Sequence, residues 1–145
     1  SMTLYTIGSG KKSARDFFTL LQENGVKRVI DIRLNNTSQL AGYSKKADLA
    51  YFLGAIAGID YLHLTEFAPT GELMEGYRAK KISQPEFAEA YIRLIEDRQT
   101  LRRLDHALLD SACLLCSEPA PKHCHRRLLA EYLAERIPGL KVVHL

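Results

Sequence analysis

Two hydrophobic periods alternate along this chain, one of about two residues and one of about three and a half. Leu4-Tyr5-Thr6-Ile7 is a β-rich run halted by Gly8-Ser9-Gly10, and it predicts a first strand. Ser13 with Asp16 resembles a capping box, and Phe17, Leu20 and Leu21 supply the apolar stripe of a helix that Gly25 ends. Val29-Ile30-Asp31-Ile32 predicts a second strand. Residues 34–45 are polar and irregular and form the longest loop. A helical pattern returns over 46–57 through Leu49, Phe52, Leu53 and Ile56, and Gly58 closes it before a third strand, Ile59 to Leu64. A short helix is expected over 72–80. Ser83-Gln84-Pro85-Glu86 is the clearest helix start: serine caps, proline tolerates an early helical position, and glutamate completes the box. That helix buries Phe87, Tyr91, Leu94 and Ile95 and runs to about residue 98, with a second piece through Leu108. Ala112 to Cys116 is a fourth strand, 125–136 a last helix, and Lys141 to His144 a fifth strand after Pro138-Gly139.

Strands alternating with helices imply a three-layer α/β domain, with about five mostly parallel strands in a Rossmann-like or flavodoxin-like arrangement. One domain over residues 1–145 is expected. Right-handed crossovers place the strand-to-helix loops on one edge of such a sheet, and ligands bind beyond the carboxyl ends of its strands. Four loops should therefore converge: Gly8-Ser9-Gly10, Asp31 with Arg33, His63 with Glu66, and Cys116 with Glu118.

Composition narrows the classes. The formal charge of +3 permits phosphate binding without demanding nucleic acid. No apolar run approaches the roughly 20 residues needed to span a bilayer, and no membrane partner is expected. Ser1 before Met2 reads as an expression scar, and without an apolar signal region a cytoplasmic location is the default. Three cysteines argue against a disulfide framework.

The candidate chemistry gathers in 114–133, LLCSEPAPKHCHRRLLAEYL, where two thiols, two imidazoles and two guanidiniums surround one loop. Cys113 and Cys116 formally spell C-x-x-C, but strand alternation points them to opposite faces, which disfavours zinc. No metal or cofactor is expected, and Cys113 reads as core. A thiol near a helix start beside Arg126 and an imidazolium of His125 would have its thiolate stabilised, making Cys116 and Cys124 a candidate nucleophile or redox pair. The alternative is that both are packed residues. Arg126, at a helix N-terminus, suits a phosphate or carboxylate, either external or supplied by Glu118 or Asp31. Arg127 reads as a surface charge. Asp31 inside an apolar strand needs a partner: Arg33 or Arg126 in the structural reading, or a role as acid or base beside the thiols. Glu118 carries the same two readings. Gly8-Ser9-Gly10-Lys11-Lys12-Ser13 fails as a phosphate loop, because Tyr5 stands where the first glycine is required and serine does not directly follow Lys11. A nest of backbone N–H groups remains open there. Tyr43 and Tyr77 are weak candidates for stacking on a base.

The chain also resembles the DUF488 family. Tyr5-Thr6-Ile7-Gly8, Asp31-Ile32-Arg33 followed by Ser38, Tyr61-Leu62-His63, and the C-S-E-x-x-P-x-x-C-H-R segment from Cys116 carry the likeness, the last most specifically. The resemblance implicates Gly8, Asp31, Arg33, Ser38, Cys116, Glu118, Cys124, His125 and Arg126. Ser9 stands where the family commonly has histidine, removing a base, ligand or donor there and leaving a binding-only role open. Asn36-Thr37 replaces a common proline position, and Glu66-Phe67-Ala68-Pro69 the usual L-G-G.

The expected function is a site for a small anionic or phosphorylated, nucleotide-like ligand, with Gly8, Ser9, Arg33, Ser38 and Arg126 binding it. Cys116 or Cys124 would be the nucleophile of a Cys-dependent transferase or hydrolase, and Asp31, Glu118 or His125 the acid or base. The alternatives are a non-catalytic nucleic-acid-binding module, supported by paired lysines near loops (11 and 12, 45 and 46, 80 and 81), and a thiol redox sensor that forms a Cys116–Cys124 disulfide.

Overall fold

The computed structural model describes residues 1–35, 42–117 and 124–145. Five strands, β1 (Met2–Gly8), β2 (Arg28–Asp31), β3 (Asp60–His63), β4 (Ala112–Cys116) and β5 (Leu140–His144), form one sheet in the order β3-β2-β4-β1-β5, with every pairing parallel. The helices are α1 (Ala14–Glu23), α2 (Lys46–Phe52), α3 (Gly71–Arg78), α4 (Gln84–Asp97), α5 (Thr100–Arg103) and α6 (His125–Arg136). This is the three-layer α/β architecture expected from the pattern. Its strand order follows neither the 3-2-1-4-5 nor the 2-1-3-4-5 succession of the common doubly wound sheets.

Two apolar cores cover the two faces. Ile7, Val29, Cys113 and Leu115 meet Phe17, Phe18 and Leu21 of α1 and Leu49 and Leu53 of the α2 segment. Leu4, Ile30, Ala112 and Leu114 meet Phe87, Tyr91 and Ile95 of α4 and Leu129 and Leu133 of α6. Strand alternation divides the side chains between these cores. β4 lies in the centre, and all five of its residues are buried, as its unbroken apolar run requires.

Local caps hold the helices where the pattern placed them. Ser13 Oγ accepts from the Asp16 N–H. Ser83 and Glu86 exchange both bonds of a capping box, and Pro85 sits in the first turn of α4. Two expectations change. The 46–57 helix loosens after Phe52 into a π-helical turn over Leu53–Ala57, closed by Gly58 at φ 62°. That turn keeps Leu53 buried but leaves Ile56 exposed, although the 3.6-residue pattern had counted it inward. The segment after α4 is broken at Gln99, whose left-handed φ of 54° ends one helical axis before α5 begins another. Among the described residues, no helix is long and apolar enough to cross a membrane.

β1 and β2 hand their chains to α1 and α2 on one face, whereas β4 hands its chain to α6 on the other. Beside β4 the connections thus diverge, and in open α/β sheets ligands bind outside the carboxyl ends of the strands at such a switch point.

Candidate functional site

Gly8 and Cys116, the last residues of β1 and β4, are register partners. The loops continue together: Ser9 N–H donates to the Cys116 carbonyl at 3.0 Å, and Gly10 N–H to that of Ser117 at 2.8 Å. Tyr43 Oη lies 3.0 Å from the carbonyl oxygens of both Ser9 and Lys12, tying the segment before α2 to the loop after β1. Ser9 is buried at this strand edge.

One polar cluster grows from β2. Asp31 is fully buried at the strand end, and Arg33 grips its carboxylate with Nε at 2.8 Å and Nη2 at 2.7 Å. The Arg33 backbone N–H adds a bond at 3.1 Å, and Tyr61 Oη donates to the other oxygen at 2.5 Å. Burial alone would push the Asp31 carboxyl up, but the bonds and charge of Arg33, together with Tyr61, outweigh it and hold the group below the usual carboxylate range. Asp31 is therefore a braced carboxylate, which favours the structural pairing over a proton-transfer role. His63 Nε2 stands 2.9 Å from the Arg33 carbonyl oxygen.

The second cluster grows from β4 and α6. Residues 126, 129, 130 and 133 form the inward stripe of α6, so Arg126 enters the core with Leu129, Ala130 and Leu133 and is 0% exposed. Its Nη1 lies 2.9 Å from Cys116 Sγ. Cys124 caps the helix: its Sγ accepts from the Arg126 backbone N–H at 3.5 Å. The sulfurs of Cys116 and Cys124 are joined in a disulfide, with Cα atoms 7.5 Å apart.

His125 links the clusters, because its Nε2 bonds the Ile32 carbonyl oxygen at 2.8 Å. A carbonyl only accepts, so Nε2 carries the proton and Nδ1 the lone pair. Nδ1 is 3.9 Å from Cys124 Sγ. The ring of Tyr91 meets the imidazole edge-on at 5.4 Å. Burial pushes the His125 pKa down to about 4. The imidazole is thus neutral near pH 7, which corrects the imidazolium expected beside the thiols; the cation there is Arg126.

A family model, a domain of unknown function named DUF488, matches residues 13–133. The chain belongs to the DUF488 family. No curated protein and no solved structure matches it. The matched stretch carries every site residue of the DUF488 signature except Gly8, which with Ser9 lies ahead of it on the β1 loop.

The DUF488 fold brings together Gly8, Ser9, Asp31, Arg33, Cys116, Cys124, His125 and Arg126 at one rim. Ser38 and Glu118 lie outside the described residues. Cys113 sits in the apolar core facing α1, where burial drives its thiol far up, while Cys116 turns toward α6, as strand alternation demands. Arg127 pairs on the surface with Glu131 at 2.8 Å. Tyr43 packs against Phe17 and Phe18, and Tyr77 stacks on Phe87 at 4.6 Å; both stay half-buried, and Tyr77 lines a surface hollow with Lys80 and Lys81, away from the strand-edge cluster. Three residues went unnoticed as neighbours of the site. Tyr61 reaches Asp31; its i,i+2 relation to His63 was the available signal. Lys12 feels burial first and then the charge of Arg126, both lowering its pKa. His144 ends β5 and meets Thr6 Oγ1 at 2.6 Å through Nδ1, and the strand-end rule applied to β5 would have found it.

Proposed function

We propose that this DUF488 protein acts through a thiol pair at the carboxyl edge of its sheet. Cys116 is the reactive sulfur, Arg126 the cation that favours its thiolate, and Cys124 its partner. The observation that carries this reading is the 2.9 Å contact from Arg126 Nη1 to Cys116 Sγ inside a buried site. A guanidinium keeps its charge throughout the working pH range, and a buried cation beside sulfur favours the thiolate, the nucleophilic form. Asp31 is itself bonded by Arg33 through Nε and Nη2.

The test is alkylation of the reduced full chain by iodoacetamide at pH 7, with modified sites read by peptide mass spectrometry. Cys113 and Cys116 are both essentially unexposed, so each controls for access to the other. Cys116 is expected to react at least about tenfold faster. Equal rates would overturn the proposal.

A second reading has separate support: a small anionic or phosphorylated ligand at the same rim, as substrate of a Cys-dependent transferase or hydrolase. Arg33 Nη1 is buried without a hydrogen-bond partner among the described residues, and Lys12 lies within electrostatic reach of Arg126. Such donors suit an oxyanion. Titration with phosphate and with a nucleoside monophosphate, followed by protection of Cys116 from iodoacetamide, tests it; unchanged alkylation at saturating anion would remove this reading.

A further inference from the structure

We infer that the Cys116–Cys124 pair reduces a small hydroperoxide, with Cys116 attacking, Cys124 resolving, and His125 taking the proton of the second thiol. This rests on the thiol-pair reading above and adds to it a substrate class and a division of labour. Three observations lead there.

The two sulfurs have different neighbours. Cys116 Sγ receives the Arg126 guanidinium, and Cys124 Sγ receives the Arg126 backbone N–H at 3.5 Å and faces His125 Nδ1 at 3.9 Å. A fixed cation suits a sulfur that must already be a thiolate; a neutral base suits one that loses its proton during reaction. The His125 ring cannot turn its lone pair elsewhere without breaking the bond of Nε2 to Ile32 and the edge contact with Tyr91. Finally, Cys116 is 1% and Cys124 3% exposed. So little access favours a reactant the size of two oxygens over a nucleotide.

The steps balance. The Cys116 thiolate attacks the outer oxygen of the hydroperoxide, the O–O bond breaks, and the departing alkoxide or hydroxide takes a proton from water. Cys116 becomes a sulfenic acid. Cys124 then gives its proton to His125 Nδ1 and attacks the Cys116 sulfur. Hydroxide leaves, recovers that proton as water, and a disulfide remains. Two equivalents of a small thiol restore both cysteines by exchange and leave as their own disulfide.

The experiment treats the reduced full chain with one equivalent of hydrogen peroxide. Trypsin cuts after Lys122, between the two cysteines, so closure appears as a cross-linked peptide. Fragment sequencing separates Cys116 from Cys113, which the same peptide contains. The expected result is a Cys116–Cys124 link with Cys113 still alkylatable, and faster reaction with hydrogen peroxide than with bulky cumene hydroperoxide. Cys124→Ser should accumulate a dimedone adduct on Cys116, and Cys116→Ser should consume no peroxide. His125→Asn should slow closure about a hundredfold at pH 7, with the dimedone adduct accumulating on Cys116, and closure should recover as the pH rises far enough to ionise Cys124 without a base. Closure as slow at about pH 9 as at pH 7 would assign His125 a structural role and remove the relay. No peroxide consumption with Cys116 still alkylated rapidly overturns this inference and leaves the thiolate reading standing; slow alkylation as well overturns both. The cross-link measurement uses only the unmodified sequence, so it decides the matter even where a variant fails to fold.

Discussion

Two arginines lie buried at the rim of this sheet, and they do opposite things. Arg33 is 2% exposed and turns back on Asp31, two residues earlier in its own strand exit. Arg126 is 0% exposed and reaches a sulfur ten residues earlier, across the loop between β4 and α6. Asp31 shares its side of the sheet with Val29 and Tyr61, next to the core under α1 and α2; Cys116 faces α6. A buried guanidinium must meet negative charge. Where that charge is a carboxylate in a complete fork, the result is a strut. Where the neighbour is a sulfur that becomes titratable once the Cys116–Cys124 disulfide is reduced, a guanidinium beside it favours the thiolate. The partner, more than the arginine, separates scaffold from chemistry.

The largest effect should come from breaking the strut. Asp31→Asn leaves Arg33 buried beside a neutral amide, and such a loss costs about 3–5 kcal/mol of folding stability. Asp31→Asn with Arg33→Met should recover most of this, since replacing both partners of a buried pair is far cheaper than removing one. Urea unfolding of the single and double variants measures both. A double variant no more stable than Asp31→Asn would mean that the pair does not act as a strut. Tyr61→Phe removes one bond to the same carboxylate and should cost about 1.5–3 kcal/mol.

Acid separates the same two regions. Asp31 has its folded pKa below 3.8, so its contribution is complete above that value and is lost only as pH falls through the lower, folded one. His125 is depressed from 6.5 to about 4, so the unfolded chain takes up its proton first. Stability is full above about 6.5 and then falls toward pH 4 by about 1.4 kcal/mol per unit. Urea midpoints for the native chain and for His125→Asn should diverge in that window and run parallel above pH 7. A native profile flat between pH 6.5 and 4 would show that His125 charges freely in the folded state.

Much of this architecture could be read from the residues before any coordinates. β4 and α6 fall on the expected 112–116 and 125–136 because an unbroken apolar run, a polar loop and a new helical stripe mark their limits. Strand order was not legible. Local pattern says that a strand is buried on two faces but not which neighbours bury it, so the central place of β4 between β2 and β1 emerges only on assembly. Alternation placed Arg33 on the same side as Asp31 but left Arg126 open as the other partner, and it separated Cys113 from Cys116. The state of His125 did not, because neighbours from β2 and α4 determine whether that imidazole is dry. Arg126 read as an anion clamp from its place at a helix start. Its stripe with 129, 130 and 133 was visible, but the sulfur at its end required the approach of two chain segments.

The smallest expected effect tests the other half of the comparison. Arg126→Met keeps length and apolar bulk in the α6 stripe and removes the charge beside Cys116. Cys116, unlike Asp31, can take up a proton once the neighbouring cation is gone and so leaves no buried charge behind, and unfolding should shift less than for Asp31→Asn. Cys116 should instead lose its advantage: its alkylation at pH 7 should slow by about tenfold, equivalent to about 1.4 kcal/mol. Arg126→Lys should restore part of the rate, since an ammonium keeps the charge but not the planar fork. The decisive pattern is the crossing of two readouts. Arg33→Met should perturb unfolding and spare Cys116 reactivity, whereas Arg126→Met should spare unfolding and slow Cys116. If both substitutions destabilise equally and leave alkylation unchanged, the two arginines are both struts, and the sulfur at 2.9 Å is a packing neighbour of Arg126.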